Sequence, residues 1–307
     1  MKRDLHIPVL LKQVLEVLDP KPGQTVVDCT LGLGGHAAAI LERIKPNGRL
    51  IAIDLDPTNI IEARVQLQKV KGREGTVRFD IVHENFGNIE SVLAGLGIGP
   101  GSVDGVLADI GVASTQIDTP ERGFSYRRPG PLDMRMDPTR GEPASEIINR
   151  MSEQDLADAL WELGDEEDAK KIAKLVVKRR AKEPITTTEQ LMAIVCEARD
   201  FTIERGMGAK LHPAARTFQA LRIMVNHELS NLEGLLNALP RVLRPGGMAA
   251  IITFHSGEDR PVKHAFRDLF RAGEYSADGR DPVVADEAEK KANPRASSAK
   301  LRWARKA

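Results

Sequence analysis

The chain has 307 residues, 41% of them hydrophobic, and its 44 Lys and Arg balance 44 Asp and Glu. That is enough for one large domain or two ordinary ones with a real core, and the charge balance gives no bulk argument for a polyanionic partner. No run of about 18 uncharged apolar residues is present, and "MKRDLHIPVLLKQVLEVLDP" carries Asp4 and Glu16, unlike a secretory signal, so a cytoplasmic protein without a membrane partner is expected.

In chain order, Thr25–Val27 reads as the first strand, followed by Asp28 and the glycine loop "TLGLGGH". A helix over "HAAAILERI" closes at Pro46-Asn47-Gly48, and a second strand, Arg49–Ile53, runs into Asp54. After the helix "TNIIEARVQLQKV" come a third strand, Thr76–Val82, then "HENF" with Phe86, and a fourth strand, Val103–Ala108, followed by Asp109. This alternation predicts an α/β fold with a mostly parallel sheet. More than a hundred residues then intervene before the next strand, too many for a structureless loop, so an inserted subdomain is expected. It reads as helical, with Ser152 capping "DLADALWEL", Gly164 as punctuation, "EEDAKKIAKLVVKRR" next, and Thr188 capping "EQLMAIVCEAR". One helix from about Pro213 is predicted to carry Phe218, Leu221, Val225, Leu229, Leu232 and Leu236 on a core stripe, with Gln219, Arg222 and Asn226 beside it, facing a cleft or solvent. The last strand, Met248–Phe254, leads to His255 and a capping-box-like Ser256-Gly-Glu-Asp259. The expected division is a core over 1–110, a helical subdomain over 111–212, and the rest of the core with a basic C-terminal segment over 213–307.

The sign of the ligand decides how the glycine loop reads. Gly32-Leu33-Gly34-Gly35-His36-Ala37 fits a loose dinucleotide fingerprint, but Asp28, four residues before Gly32, would repel a pyrophosphate. An acid with a close-approach glycine turn suits S-adenosylmethionine, which carries an ammonium and a sulfonium. Asp54, twenty residues beyond Gly34, is spaced to bind two ribose hydroxyls, Phe86 to lie against adenine, and Asp109 to close the same sheet edge. Cys29 and Cys196 lie in unrelated segments, and His255 with His264 lacks metal spacing, so neither a disulfide nor an essential metal is expected.

The segments "HIPVLLKQVLEVL", "DCTLGLGGH", "IAIDLDP", "VLADIGVASTQIDTPERGFSYRRPGPLDMRMD", "HPAARTFQALRIMVNHEL", "LRPGGMAAIITFHSGEDR" and "NPRASSAKLR" resemble, in order and spacing, the bacterial ribosomal RNA small-subunit methyltransferase H family. The chain departs from it in reading "GVASTQ" for the usual "GVSSPQ", "HSGEDR" for "HSLEDR", "LGDEEDA" for "YGEERFA" and "NPRASSAKLR" for "NPRSRSAKLR". The resemblance implies a class I S-adenosylmethionine-dependent methyltransferase with an inserted helical subdomain. It also implies methylation of N4 of a cytosine in the decoding region of small-subunit rRNA, within an assembled or nearly assembled 30S particle. Carried over residue by residue, the cofactor contacts are Gly34, Gly35, His36, Asp54, Phe86, Asp109 and, from the resemblance alone, Gln116.

Chemistry assigns the remaining candidates. Asp109 is the expected group for orienting the donor and the amine, where many amino-methylating enzymes have an Asn/Asp-Pro-Pro-aromatic loop and this chain has Asp-Ile-Gly-Val. His255 is a second candidate, with a helix start as its alternative. An unstacked base is expected against Phe124, Tyr126, Arg127, Arg128 and Arg135, with Gln219 and Asn226 nearby and Arg295, Lys300, Arg302 and Arg305 on phosphates. The competing readings are a methyltransferase of DNA cytosine or protein, a non-catalytic assembly factor, and, most remotely, a dehydrogenase. The oligomeric state is not set by the sequence, and a homodimer stays open.

Overall fold

The computed structural model describes residues 7–71, 77–200 and 212–307. Two compact units divide the chain, the first made of Met1–Gly111 with Leu229–Ala307, the second of Val112–Glu228. The chain returns to the first unit near residue 229, sixteen residues past the expected 213.

In the first unit, α1 (Leu11–Leu18) precedes β1 (Thr25–Asp28), α2 (Gly35–Arg43), β2 (Arg49–Asp54), α3 (Pro57–Lys71), β3 (Arg78–His83), α4 (Ile89–Gly95) and β4 (Val103–Asp109). Thr76, the expected start of the third strand, lies outside the described residues. The second unit holds α5 (Ser114–Asp118), α6 (Ala144–Arg150), α7 (Glu153–Gly164), α8 (Ala169–Arg180), α9 (Thr188–Ala198) and α10 (Ala215–Asn226). From α11 (Glu228–Val242) the chain continues through β5 (Leu243–Thr253), α12 (Ser256–Arg271), β6 (Tyr275–Asp278), α13 (Glu287–Ala292) and β7 (Lys300–Lys306).

The strands form one sheet in the order β3-β2-β1-β4-β5-β7-β6, and β7 alone runs against its neighbours. This is the class I methyltransferase topology. Strand side chains alternate between two cores, as the period of two requires. Val26, Leu50, Ala52, Leu107 and Ile252 face α1, α2 and α3, whereas Val27, Ile51, Ile53, Val106 and Ile251 face α4, α11 and α12. Because both faces are covered, these strands read as continuous apolar runs.

The single helix expected from Pro213 is two. His227 adopts a left-handed conformation, φ 52°, and its N–H closes on the Ile223 and Met224 carbonyls, ending α10 before α11 begins. Phe218 and Leu221 therefore belong to the second unit's core, and Leu232 and Leu236 to the first's. In the second unit Ser152 caps α7 as expected, accepting from Asp155 N at 3.1 Å. The α9 cap is Thr187, which accepts from Gln190 N, and Thr188 instead donates its hydroxyl to the Arg128 carbonyl. Gly164 permits a close helix crossing, since a Cβ there would stand 2.7 Å from the Arg216 carbonyl oxygen. No described helix is long and apolar enough to cross a membrane.

The C-terminal basic segment is a strand. Its register pairs Arg302 with Ile251, and Arg302 is buried with Nε 2.6 Å and Nη2 3.1 Å from the two carboxylate oxygens of Asp259. Arg302 is thus unavailable to a phosphate, which corrects the sequence reading. A guanidinium removed from beside this inward carboxylate leaves it, among the described residues, only the Lys300 amine, 3.5 Å away and half in solvent, as a counter-charge. Arg302→Ala is expected to cost about 3–5 kcal/mol in urea unfolding, whereas Arg305→Ala, at an exposed position, should cost less than about 1 kcal/mol.

Candidate active site

Two strand ends frame the site. The chain moves from β1 outward through β2 to β3 and then returns to the other side of β1 as β4, so the carboxyl ends of β1 and β4 lie side by side at the topological switch point. Asp28 ends β1 and Asp109 ends β4. Thr30 ties them together, giving its backbone N–H to Asp28 Oδ1 at 3.1 Å and accepting the Asp109 N–H on its hydroxyl at 2.6 Å. The other Asp28 oxygen, Oδ2, and Asp109 Oδ1 are buried with no hydrogen-bond partner.

Asp54, at the end of β2, fastens the glycine loop. Its Oδ2 accepts the Gly32 N–H at 2.6 Å and its Oδ1 the Asp56 N–H at 2.7 Å. Gly32 and Gly34 sit at positive φ, 50° and 82°, and Gly34 starts α2. At Gly35 a Cβ would lie 2.4 Å from Pro8 Cγ, so only glycine lets the N-terminal segment approach. That segment is fixed by the Leu10 N–H, which donates to Glu289 Oε1 at 2.6 Å. His36 is buried, with Nε2 2.9 Å from the Val9 carbonyl oxygen and Nδ1 3.7 Å from Asp109 Oδ2. Phe86 is half-buried and packs on the core that faces α4.

The electrostatics favour neutral acids or a cation. Burial pushes Asp109 up to about 8, with the Asp28 and Glu258 charges adding to it. Burial raises Asp28 to about 7 against the pull of the Thr30 N–H, and Asp54 to about 6 against the Asp56 and Gly32 N–H groups. The Cys29 thiol is pushed up by burial and by Asp28. Among the described residues no lysine or arginine pairs with Asp28, Asp54 or Asp109.

The remaining candidates disperse. His255 is the N-cap residue of α12 and makes no capping bond with its side chain; its Nε2 lies 2.9 Å from Glu258 Oε1, and Glu258 Oε2 accepts the Phe254 N–H at 2.8 Å. The expected Ser256 cap is therefore displaced by one residue. His255 lines a cavity of about 310 Å³ with Ser256, Ser297, Ser298 and Lys300, and the Lys300 amine stands 3.5 Å from Asp259. Arg295 is exposed.

In the second unit Gln116 is buried and its Oε1 closes the start of α5 on the Ala113 N–H. Phe124 is core rather than a stacking platform, and Asn226 is buried, holding the Met136 N–H and the Met134 carbonyl. Both correct the sequence reading. Tyr126 is itself stacked on His212, ring centres 4.6 Å apart, with Phe218 at its edge. Arg135 grips Asp133 through two bonds, Arg128 pairs with Asp118, Arg127 lies exposed over the Tyr126 ring, and Gln219 is half-buried. Sequence reasoning missed Thr30, Glu258, Asp259 and the Val9 carbonyl. The "DCT" turn and the acids of "HSGEDR" were the available signals for the first three.

The MraW methylase family matches this chain over residues 3–307. The chain belongs to that family. Curated relatives include the ribosomal RNA small subunit methyltransferase H of Acidobacterium capsulatum, 42% identical over all of both chains. The protein of that name from Symbiobacterium thermophilum is 45% identical, covering 97% of this chain and 95% of its own. A SAM dependent methyltransferase from Aquifex aeolicus, of solved structure, aligns over 97% of this chain and 90% of its own at 12% identity and a TM-score of 0.41. As a family member the chain is a methyltransferase dependent on S-adenosylmethionine. Its residues fit that cofactor: two partnerless buried carboxylate oxygens suit a cationic ligand, and the glycine loop offers backbone rather than side chains.

The carboxyls carry a pH signature. Unfolded, each ionises near about 3.9; folded, Asp28 and Asp109 keep their protons to about 7 and about 8. The folded state then binds more protons, so stability falls as pH rises through this interval and levels off once both have ionised. Melting temperatures of the cofactor-free protein should decline from pH 5 to about pH 8, and Asp109→Asn should flatten that decline.

Proposed function

We propose that this protein transfers the methyl group of S-adenosylmethionine to N4 of a cytosine in the decoding region of small-subunit ribosomal RNA, within an assembled or nearly assembled 30S particle. The observation that carries the reading is full-length similarity, at 42–45% identity, to proteins named ribosomal RNA small subunit methyltransferase H. The site's chemistry supports amine methylation. A cytosine N4 lone pair is delocalised into the ring, so the amine needs a fixed orientation and an acceptor for the proton it loses.

The chain's own groups meet those needs. When bound, the cofactor supplies an electrophilic methyl on a sulfonium. Gly32, Gly34, Gly35 and Asp54 shape the loop that would hold its adenosyl end, and Asp28 is the anionic partner for its cationic end. Asp109 Oδ1, buried and without a partner, is the oxygen able to accept from the amine. His255 and Lys300 border a cavity of about 310 Å³.

The second unit offers a cationic surface for RNA. Arg122, Arg128 and Arg135 are committed to carbonyls and acids within it. Lys170, Lys174 and Lys178 instead form an exposed stripe on α8, and none of them forms an ion pair among the described residues. Four-residue spacing sets them about 6 Å apart along the helix.

Three outcomes test the reading. Deleting the gene should remove one methyl group from a decoding-region cytosine, mapped by nuclease digestion and mass spectrometry; an unchanged methylation map rejects the rRNA assignment. Asp109→Asn should lower the single-turnover rate by about 10²–10⁴-fold at saturating cofactor, and a loss within a few-fold removes Asp109 from that role. Replacing Lys170, Lys174 and Lys178 together by alanine should reduce the slope of log affinity against log salt by about 2–3 for the ribosomal particle.

A further inference from the structure

The His36 ring is held in one orientation. Its Nε2 faces the Val9 carbonyl oxygen at 2.9 Å, and a carbonyl only accepts, so Nε2 carries hydrogen. A neutral imidazole then presents a bare lone pair at Nδ1, and Nδ1 stands 3.7 Å from Asp109 Oδ2. Two acceptors set that close in a buried site repel each other unless a proton sits on one of them. Either Asp109 is a carboxylic acid or His36 is an imidazolium, and both states hold one more proton than a neutral ring beside a carboxylate.

The surroundings sustain that extra proton. Asp109 is faced by the Asp28 carboxyl from β1, by His36 from α2 and by the Glu258 carboxyl from α12, while its partner on β5 is the uncharged Ile252. Behind Asp28 lie the Cys29 thiol and the Asp54 carboxyl. Among the described residues His36 is the basic side chain that faces Asp109 within this cluster, and a positively charged ligand would compete with it for the same carboxylate.

We propose that His36 is a positioning residue that stores one proton together with Asp109 in the ligand-free protein, and that binding of the cationic methyl donor expels this proton to solvent. Methyl transfer to a neutral amine liberates one proton. The amine nitrogen bonds to the methyl carbon as the carbon–sulfur bond breaks with its electron pair left on sulfur, the N–H bond breaks with its pair left on nitrogen, and Asp109, emptied on binding, takes the proton. Each turnover then delivers its proton to water at donor binding rather than at transfer, and product departure finds the pair already recharged. This inference rests on the donor's charge and not on the identity of the RNA target.

Calorimetric titration of the whole protein with S-adenosylmethionine, repeated at pH 6.5 in buffers of different ionisation enthalpy, counts the protons directly. S-adenosylhomocysteine serves as the control, because it shares the amino and carboxyl groups and lacks the sulfonium charge. S-adenosylmethionine should release about one proton more than S-adenosylhomocysteine, because the Asp28 proton, held to about 7, is displaced alike by the ammonium group that the two ligands share. Above pH 9, beyond the Asp109 value of about 8, the release should vanish. In His36→Asn the proton has Asp109 alone to hold it, so the pH at which release disappears should move away from that of the wild-type protein; a purely structural His36 would weaken both ligands and leave that pH unchanged. Binding by the wild-type protein with no proton release, or with equal release for both ligands, overturns the proposal without recourse to a variant. Absence of any binding heat would instead point to failure of the cofactor assignment.

Discussion

Acid side chains gathered at one sheet edge, with no lysine or arginine among the described residues to answer them, are the constraint on which the rest of this structure depends. Asp28, Asp54 and Asp109 come together because the chain reverses its direction of travel across the sheet between β3 and β4. Burying such groups unpaired costs free energy, and the fold tolerates that cost through apolar packing on both sheet faces. The local backbone is organised around the same acids. Thr30 bridges two of them and Asp54 holds the Gly32 N–H, so loop, strand ends and charge form a single hydrogen-bonded unit. A site prepared in this way binds a cation with little reorganisation.

The basic residues divide by chemistry. Three arginines are turned inward: Arg302 meets Asp259, Arg135 meets Asp133, and Arg222 meets Glu228, each through two bonds. A planar guanidinium can satisfy a carboxylate from two directions while partly buried, which a lysine cannot. The α8 lysines stay in water. A basic segment in this chain is therefore no guide by itself to where an anion would sit.

Much of the first unit was legible because short continuous apolar runs that end in an acid and alternate with helical segments admit few other readings. Asp28, Asp54 and Asp109 stand at the strand ends that the alternation of elements marked. The helix from Pro213 misled because its apolar stripe keeps spacings of three and four straight through His227, and nothing in the side-chain pattern reveals a left-handed backbone at a histidine. Phe124 and Asn226 misled for a different reason: an aromatic or an amide beside arginines looks the same whether it faces a ligand or satisfies the unit's own carbonyls. The last strand was hidden in "KLRWARK" because its charges mask an alternation whose inward arginine has its partner on α12, 43 residues earlier.

β7 enters the sheet between β5 and β6, although both precede it in the chain. Until residues 300–306 have been synthesised, β5 keeps an open edge and β6 has no strand beside it. Translation thus leaves the open edge of an apolar strand waiting while some fifty residues emerge, the period in which a chaperone or a neighbouring nascent chain has most to bind. The order of synthesis, and not only the finished contacts, decides when this protein becomes safe from aggregation.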